Sequence, residues 1–478
     1  MKILKGLESS KQFWFVIFTT FLFFILRLPS LFEPLWYGDE GIYQVIGTSL
    51  NHGKLLYSQI FDNKPPLLYW TYALFQSDQF TVRLVSLIFG ALAVIMFFLL
   101  SRALFKSKKN NNIPYLTTSV FAVLFGLPLL EGNIANAENF MLLPIIACAF
   151  LIVNQKKFFV AGLLLGIAFL FKIVAIFDLS AFFVFYFILN FDSLKKELKL
   201  SSVIAGFLLP ILLISFYFLF NGAFMDFVKA TFVSNVSYVN YNNKIGALPI
   251  LLFIKLILLG IFLLYLFVKR KTINGSSLFV LVWFAFSLFN AFFSQRPYTH
   301  YLLVLLPSLS LMTGLILFDK KYQKAIVIIF LIALLIAIKG FGVRWSNKSI
   351  NYYQNFISYM MGKKTMTSYQ RFFDRNTPFD YEIARFIKPK LAKNDTIFIW
   401  GNNAQLYQLA GVVAPTKYIV AYHISNYKDG PITTLKGIEA AKPKFVVAMS
   451  NSGPIPFPLI NYSIKININN ASIYERLF

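Results

Sequence analysis

Apolar runs of bilayer-spanning length recur along most of this chain. A transmembrane helix needs ~20 predominantly apolar residues, and we count about eleven such runs in the sequence. They cover residues 13–28, 80–100, 114–130, 140–153, 158–177, 181–189, 203–220, 248–268, 278–293, 302–318 and 325–341. The runs at 140–153 and 181–189 are short, and the run at 181–189 could form with 158–177 a hairpin that does not fully cross. The pattern predicts an α-helical polytopic membrane protein with the lipid bilayer as its solvent.

The distribution of basic residues predicts how the chain is oriented. The formal net charge of +25 is large enough to suggest nucleic-acid binding. However, the Lys and Arg residues cluster before the first apolar run and after the second, fourth, sixth, eighth and tenth. Such clusters mark cytoplasmic loops. We therefore predict no nucleic-acid partner, a cytoplasmic N-terminus and an extracytoplasmic segment after residue 341.

Two of the predicted outer segments are too long to be simple connections. One is the loop 30–79, and the other is the tail 342–478. In the tail, a helix start at Thr377 and two apolar stretches at 396–400 and 445–448 predict a small α/β domain. We thus predict a membrane catalytic domain over 1–341 and an extracytoplasmic domain over 342–478, in which we identify no catalytic residue. The one cysteine, Cys148, excludes an internal disulfide framework.

The loop 30–79 carries an acidic pair, Asp39 and Glu40, after the aromatic residues Trp36 and Tyr37. Apolar residues at helical spacing follow the pair and predict an amphipathic helix along the membrane surface. Asp39 then lies at or near the N-cap. Its carboxylate could serve only to cap the helix, or it could act in catalysis.

Lys64 lies later in the same loop, directly before Pro65 and Pro66. The two prolines predict an extended backbone at Lys64 and a helix that begins at Pro66. An interfacial lysine commonly reaches lipid headgroups. A lysine held rigidly between aromatic residues is equally suited to bind a phosphate oxygen.

These residues resemble the GT-C superfamily of membrane glycosyltransferases. The resemblance rests on Asp39-Glu40 after the first run, on the segment 64–67 (Lys-Pro-Pro-Leu), and on a second acidic loop. It is closest to the protein O-mannosyltransferases and the aminoarabinose transferase of lipid A. It implies a GT-C type fold and an inverting transfer on the outer face of the membrane. The donor would be a polyprenyl-phosphate sugar, and the acceptor a hydroxyl of a glycan, a lipid or a protein.

The resemblance also implies roles for individual residues. Asp39 matches the general base that acts on the acceptor hydroxyl, and Glu40 is its partner in the acidic pair. Lys64 matches the lysine near the lipid phosphate. Glu138, in the next predicted outer loop, matches the second acidic position, which could bind a divalent metal cation. Read without the resemblance, Glu138 is equally an ordinary interfacial acid.

Three further residues are candidates for binding the donor phosphate. Lys172 lies inside the fifth apolar run, where a charge is costly and favours a functional role, unless the side chain extends to the membrane surface. Arg296 and Tyr301 belong to a segment that resembles an Arg-aromatic motif before a late span. Arg296 could bind a phosphate bidentately or serve as an interfacial anchor.

Two other classes of function are compatible with a polytopic membrane protein. A lipid-linked sugar flippase or transporter needs polar groups along a central path, often supplied by internal repeats. The sequence has few charges deep within its apolar runs and no such repeat. A non-catalytic scaffold of cell-envelope synthesis would lack an acid-base set. The set in the loop 30–79 therefore favours an enzyme.

Overall fold

The structure is a computed structural model that describes residues 10–106, 112–191, 197–235, 250–294, 298–318, 321–340, 348–469 and 471–477. These residues are mostly helical, with one small sheet near the C-terminus. The membrane-type helices and the loop helices among them are α1 (Ser10–Arg27), α2 (Gly38–Asn51), α3 (Pro66–Leu74), α4 (Gln79–Leu104), α5 (Ile113–Gly126), α6 (Ala137–Val153), α7 (Phe158–Phe171), α8 (Ile176–Leu189), α9 (Glu197–Phe220), α10 (Phe224–Val228), α11 (Ile250–Val268), α12 (Gly275–Ala291), α13 (Leu306–Phe318) and α14 (Lys321–Gly340). The C-terminal elements are α15 (Lys348–Met360), α16 (Met366–Phe373), α17 (Thr377–Ile387), β1 (Ile397–Trp400), α18 (Gln405–Ala410), α19 (Ala421–Asn426), α20 (Gly430–Ala441), β2 (Phe445–Met449), β3 (Tyr462–Ile468) and β4 (Ala471–Arg476).

Helices cover all eleven predicted apolar runs within the described residues. Five helical segments there are long and apolar enough to cross a membrane: Ser10–Phe32, Gln79–Leu104, Lys199–Phe220, Ile250–Val268 and Thr299–Phe318. Five further apolar helices are shorter. The helical character of the runs is thus confirmed, while the number of crossings stays a prediction.

The fifth predicted run is not one continuous helix. Helix α7 ends at Phe171, and Lys172 takes an extended conformation with φ −156° and ψ 126°. A short 3-10 turn, Ile173–Ala175, then leads into α8. The predicted division at 177–181 is therefore wrong, because the chain breaks at Lys172, whose side chain leaves the helix to pair with Glu138.

By compactness the chain divides into two units. The first consists of Met1–Leu28, Val85–Ser215 and Val233–Ser349. Its helices pack as α6 on α7, α8 on α12, and α5 on α1 and α13. Glycines allow α7 and α9 to approach closely, since a Cβ added at Gly162 would lie 2.0 Å from the Val203 carbonyl oxygen. Small residues serve this purpose in membrane helix pairs.

The second unit consists of Pro29–Leu84, Phe216–Phe232 and Ile350–Phe478. It contains the sheet, with strand order β1-β2-β4-β3, in which β1 and β2 are parallel and the other pairs antiparallel. The predicted helix start at Thr377 and the two predicted strands are confirmed. Strands β3 and β4 were not predicted. The domain boundary at 341 stays a prediction.

Within this second unit, the loop 30–79 packs on C-terminal elements. The Phe61 amide donates to the Lys417 carbonyl oxygen at 3.0 Å, and the Leu35 amide donates to the Tyr381 hydroxyl at 2.9 Å. Helix α2 contacts α3 and α18. Gly41 is required there, because a Cβ at this position would lie 2.7 Å from the Gln405 backbone nitrogen.

The amphipathic helix predicted after Asp39 has a different setting from the one expected. Helix α2 is present, but its residues from Glu40 to Gly47 are buried. Packing between α3 and α18 covers the face that was expected to meet water. Helix α2 is therefore packed within its unit, and its placement along the membrane surface stays a prediction.

Candidate functional site

Asp39 and Lys64, both singled out from the sequence, lie next to each other in the second unit. The Lys64 Nζ is 3.5 Å from the Asp39 Oδ2. The Tyr43 hydroxyl, one helical turn after Asp39, donates to the same oxygen at 3.2 Å, and the Lys64 ammonium lies 4.8 Å from the centre of the Tyr43 ring. The Asp39 side chain remains 40% exposed. The site therefore presents a carboxylate and an ammonium group to an incoming molecule.

The start of α2 shows whether Asp39 caps the helix. Helix α2 begins at Gly38, and its N-cap residue is Tyr37, which makes no side-chain capping bond. Asp39 lies one residue inside the first turn, where its charge still interacts favourably with the helix dipole. Asp39 is thus near the N-cap but is not the capping residue.

A second carboxylate, Asp62, lies on the other side of Lys64. Its Oδ2 is 3.7 Å from the Lys64 Nζ and accepts a 2.6 Å hydrogen bond from the Tyr69 hydroxyl. The Asn63 amide donates to its Oδ1 at 2.8 Å. The Asp62 side chain is 2% exposed. Asp62 is therefore held in one position, whereas Asp39 is open to solvent.

The local backbone explains why Lys64 is held so firmly. Pro65 is extended, with φ −62° and ψ 160°, and α3 begins at Pro66, as predicted. The Tyr57 hydroxyl donates to the Lys64 carbonyl oxygen at 2.7 Å. Burial by itself would lower the pKa of Lys64, but the carboxylates of Asp62 and Asp39 outweigh burial and hold this pKa well above its usual range. Lys64 is therefore a cation at neutral pH.

The C-terminal segment contributes a residue to this site. His423, in the first turn of α19, has its Nε2 3.5 Å from the Asp62 Oδ1. Its ring lies among the rings of Phe61, Tyr422 and Tyr427. Burial, with a contribution from Lys64, lowers the pKa of His423 to about 4. The imidazole is therefore neutral at neutral pH and adds no charge next to Lys64.

This burial predicts a pH effect on stability. The unfolded chain binds a proton at His423 below about pH 6.5, whereas the folded protein, with a pKa of about 4, does not. Stability should therefore fall as the pH drops from 6.5 to 4, by at most about 3 kcal/mol from this residue. Asp62, Lys64 and Asp39 are the charged groups that act on the ring, so the test compares the parent protein with a variant that lacks only the imidazole.

We expect His423→Gln to show a smaller loss of melting temperature in detergent between pH 6.5 and pH 4.5 than the parent protein. His52→Gln is the matched control, because His52 is exposed and should leave the slope unchanged. Equal slopes for the parent and the His423 variant would contradict the prediction.

Glu40 has a different setting from its neighbour Asp39. It is buried, and the Arg83 Nε donates to its Oε1 at 2.9 Å. The Arg83 Nη1 is also 3.0 Å from the Oε2 of Glu33, and the Tyr352 hydroxyl donates to the Oε1 of Glu33. Glu40 was predicted as the catalytic partner of Asp39. In this arrangement its carboxylate instead belongs to a buried ion-pair network that anchors the start of α2.

In the first unit, three other predicted site residues come together. The Lys172 ammonium forms an ion pair with the Glu138 carboxylate. It also lies 4.4 Å from the centre of the Tyr301 ring. Glu138 is buried, and the Lys172 side chain is 15% exposed. Lys172 therefore points into its unit, and the alternative of a side chain that extends to the membrane surface is not what the structure describes.

Glu131 and His300 extend this cluster. The His300 Nδ1 is 2.9 Å from the Glu131 Oε2, and its Nε2 is 3.9 Å from the Glu138 Oε1. The Thr299 hydroxyl donates to Glu131 at 2.6 Å. The sequence made Glu131 a weaker candidate than Glu138 for the second acidic position, and it gave His300 no role. Arg296, the remaining predicted phosphate-binding residue, lies outside the residues that the structure describes.

Two comparisons with known proteins show similarity to membrane glycosyltransferases. Residues 63–217 match the family model described as dolichyl-phosphate-mannose-protein mannosyltransferase, a range that includes Lys64, Glu138 and Lys172. The crystal structure of ArnT from Cupriavidus metallidurans bound to undecaprenyl phosphate superposes with a TM-score of 0.58, over 98% of each chain, at 13% sequence identity. Residues 63–217 are thus similar to this mannosyltransferase family, and the chain has the fold of a GT-C glycosyltransferase.

A second solved structure is more distant. The Archaeoglobus fulgidus oligosaccharyltransferase tethered with an acceptor peptide gives a TM-score of 0.44 at 12% identity, over 92% of this chain and 69% of that one. A search of curated proteins by sequence gave no match. The recognition made from the loop 30–79 is confirmed at the level of the superfamily.

The predicted metal role of Glu138 does not fit the ion pair that Glu138 makes. The Glu138 carboxylate is already neutralised by the Lys172 ammonium, and a divalent cation beside that ammonium would be repelled. Within the described ranges, no group of three or more His, Cys, Asp or Glu side chains is arranged to hold a metal ion. We therefore derive no catalytic step through a metal at Glu138.

Three residues at or near this candidate site were not singled out from the sequence. Asp62 stands two residues before Lys64. Its place in the Asp-Asn-Lys-Pro-Pro segment could have indicated a carboxylate close to this lysine. Arg83, near the start of an apolar run, was a second signal, because a charge in such a place is costly. His423 offered no local signal, since nothing around it in the tail points to the loop 30–79.

Proposed function

We propose that this GT-C protein is an inverting glycosyltransferase that moves a sugar from a polyprenyl-phosphate donor to a hydroxyl acceptor on the outer face of the membrane. The observation that carries the proposal is the pairing of the exposed Asp39 carboxylate with the Lys64 ammonium at 3.5 Å. One group can accept a proton, and the other can neutralise a phosphate.

The chemistry needs both groups. A sugar hydroxyl is a poor nucleophile at neutral pH, so a carboxylate must take its proton as the new bond forms. The acceptor oxygen bonds to the anomeric carbon, whose bond to the phosphate oxygen breaks, and the lipid phosphate leaves with the electron pair. Asp39 takes the proton. Lys64 stabilises the negative charge on the leaving phosphate, and attack opposite the leaving group inverts the anomeric centre.

The carrier lipid and the additional donor-binding residues are also proposals. The ArnT structure holds undecaprenyl phosphate, which supports a polyprenyl phosphate here. We assign Lys172, Tyr301 and Arg296 to donor phosphate binding. Lys172 has an aromatic neighbour in Tyr301 and is partly exposed, which suits that role. The acceptor is a glycan, a lipid or a protein.

Replacement of Lys64 tests the donor role. We expect Lys64→Met to lower kcat/KM for the polyprenyl-phosphate donor by at least about tenfold, since a charge-assisted hydrogen bond to phosphate is worth roughly 1.5–3 kcal/mol. The KM for the acceptor should change little. Both constants are measured with purified protein and varied donor.

Lys417→Met is a well-matched control for Lys64→Met. Lys417 pairs with Asp226 at 3.8 Å, and its side chain is 18% exposed, against 21% for Lys64. The control should keep the parent kcat/KM. Unchanged donor dependence in the Lys64 variant would mean that the phosphate is bound elsewhere.

Orientation in the membrane is the second part of the proposal, and it rests on the alternation of basic loops. We expect a label beside Lys108 and Lys109 to be accessible only from the cytoplasm, and a label at Asn451 only from outside. Single cysteines in a Cys148→Ala background, labelled in intact cells and in inverted vesicles, measure this. Labels on the same side would contradict the outer-face placement of the reaction.

A further inference from the structure

Asp62 has an unusual position for a carboxylate beside a proposed active site. It is buried, yet it faces the same ammonium group as the exposed Asp39. The two carboxylates thus share one cation, and only one of them is open to a substrate. A buried carboxylate is stable only where cations and hydrogen-bond donors compensate its charge. The groups around Asp62 therefore indicate its role.

Those surroundings hold Asp62 from three elements. Tyr69, on α3, donates to Oδ2 at 2.6 Å, and the Lys64 backbone amide donates in turn to the Tyr69 hydroxyl at 3.2 Å. The Asn63 amide holds Oδ1 from within the loop. His423, on α19, approaches Oδ1 to 3.5 Å. Asp62 and Lys64 are therefore tied together through both backbone and side chain.

The His423 ring has no second polar role within the described part of the chain. Its Nδ1 is buried and finds no hydrogen-bond partner among the described residues. With Nδ1 unprotonated, Nε2 carries the hydrogen and directs it toward Asp62. At 3.5 Å the contact is longer than a typical hydrogen bond, so it orients the carboxylate without binding it strongly.

Sharing one cation has a consequence for Asp39. If Lys64 faced Asp39 alone, the attraction between the two charges would favour a closer ion pair than the present 3.5 Å contact. A carboxylate in a closed ion pair is a weaker proton acceptor. A fixed, buried anion on the other side of Lys64 prevents this closure.

We propose that Asp62 is a positioning residue, which holds the Lys64 ammonium at a set distance from Asp39, and that His423 of the C-terminal segment orients Asp62 in this role. The inference rests on the proposed function, since it concerns the same base and the same phosphate-binding lysine. It makes the C-terminal segment a contributor to catalysis, although the sequence showed no chemistry there.

The test is Asp62→Asn, which keeps the shape of the side chain and removes its charge. We expect kcat to fall tenfold or more, because small displacements of reacting groups cost up to ~10²-fold. We also expect the acid limb of the kcat/KM profile to move to lower pH. Removal of a negative charge near Asp39 favours the ionised form of the base, and Lys64, Tyr43, Tyr69, Tyr422 and His423 remain as its other titratable neighbours.

Asp226→Asn is the control, because Asp226 also pairs with a lysine, at 3.8 Å, but that lysine is Lys417 and not Lys64. It should keep the parent rate and the parent acid limb. A merely structural role of Asp62 would lower the yield of folded protein without moving the acid limb. An unmoved acid limb with a parent-like kcat in the Asp62 variant would overturn the proposal.

The contribution of His423 is tested without any activity. Melting temperatures in detergent are measured for His423→Leu, Asp62→Asn and the double variant. Residues that act through each other give non-additive effects, so we expect the double variant to be less destabilised than the sum of the single ones. Additive effects would overturn the role of His423. If Asp39→Asn and Lys64→Met both remain active, the proposed function fails. The melting temperatures would still show whether His423 and Asp62 act through each other, because they do not depend on activity.

Discussion

Asp39→Asn is expected to reduce sugar transfer by ~10²–10⁴-fold, the usual contribution of a general base. The substitution keeps the size of the side chain and costs the first turn of α2 only about 0.3–1 kcal/mol of favourable interaction between the charge and the helix dipole. It removes the negative charge and, with it, the ability to accept a proton. Transfer is measured with purified protein, a polyprenyl-phosphate donor and a hydroxyl acceptor.

A matched control separates catalysis from charge loss in general. Asp226→Asn removes a carboxylate with the same 40% exposure, paired with a lysine at a similar distance. It should retain the parent rate. Melting temperature and donor binding are measured for both variants, because a destabilised protein would mimic loss of catalysis. Near-parental transfer by well-folded Asp39→Asn would show that another group is the base.

Arg83→Met is expected to produce the largest loss of stability. The Arg83 side chain is completely buried and bridges the carboxylates of Glu33 and Glu40, both also buried. Removal of the cation leaves two carboxylates without their charge partner. Breaking a buried ion pair from one side costs about 3–5 kcal/mol. We expect a much lower melting temperature in detergent and little folded protein after purification.

Two further variants serve as a control and a comparison for Arg83→Met. Arg102→Met removes an arginine from the other end of α4, where it is partly exposed, and should change the melting temperature little. Glu40→Gln keeps hydrogen-bonding atoms next to Arg83 and leaves Glu33 charged, so it should destabilise the protein less than Arg83→Met. If Glu40 has only the anchoring role, the folded fraction of this variant transfers sugar at nearly the parent rate. A loss as large as that of Asp39→Asn in folded protein would instead return Glu40 to a catalytic role.

Much of the helical architecture could be predicted because it depends on local properties. A run of apolar residues forms a helix in lipid wherever it occurs, since every backbone group must be satisfied within the segment. The prolines after Lys64 likewise specify an extended residue and a helix start at Pro66. Even Lys172 could be identified from its place inside an apolar run, although the break it causes was not foreseen.

The sequence alone also identified Asp39, Lys64, Glu138 and Lys172 as candidates, because acidic and basic residues are conspicuous among apolar runs. It did not separate Asp39 from Glu40. Adjacent residues on a helix point about 100° apart, and only the packing of α2 decides which of the two is exposed and which meets Arg83.

The tertiary structure alone decided which partners each of these residues has. Asp62 and His423 are far apart in the chain, and so are Glu33 and Tyr352, yet each pair is in contact. Such contacts arise when the loop 30–79 and the C-terminal elements fold into one unit. Sequence therefore determined which segments are apolar, where helices begin and which charged residues stand out. The surroundings of each charge, and thus its chemical role, depend on packing between distant segments, because no local pattern specifies which surfaces meet.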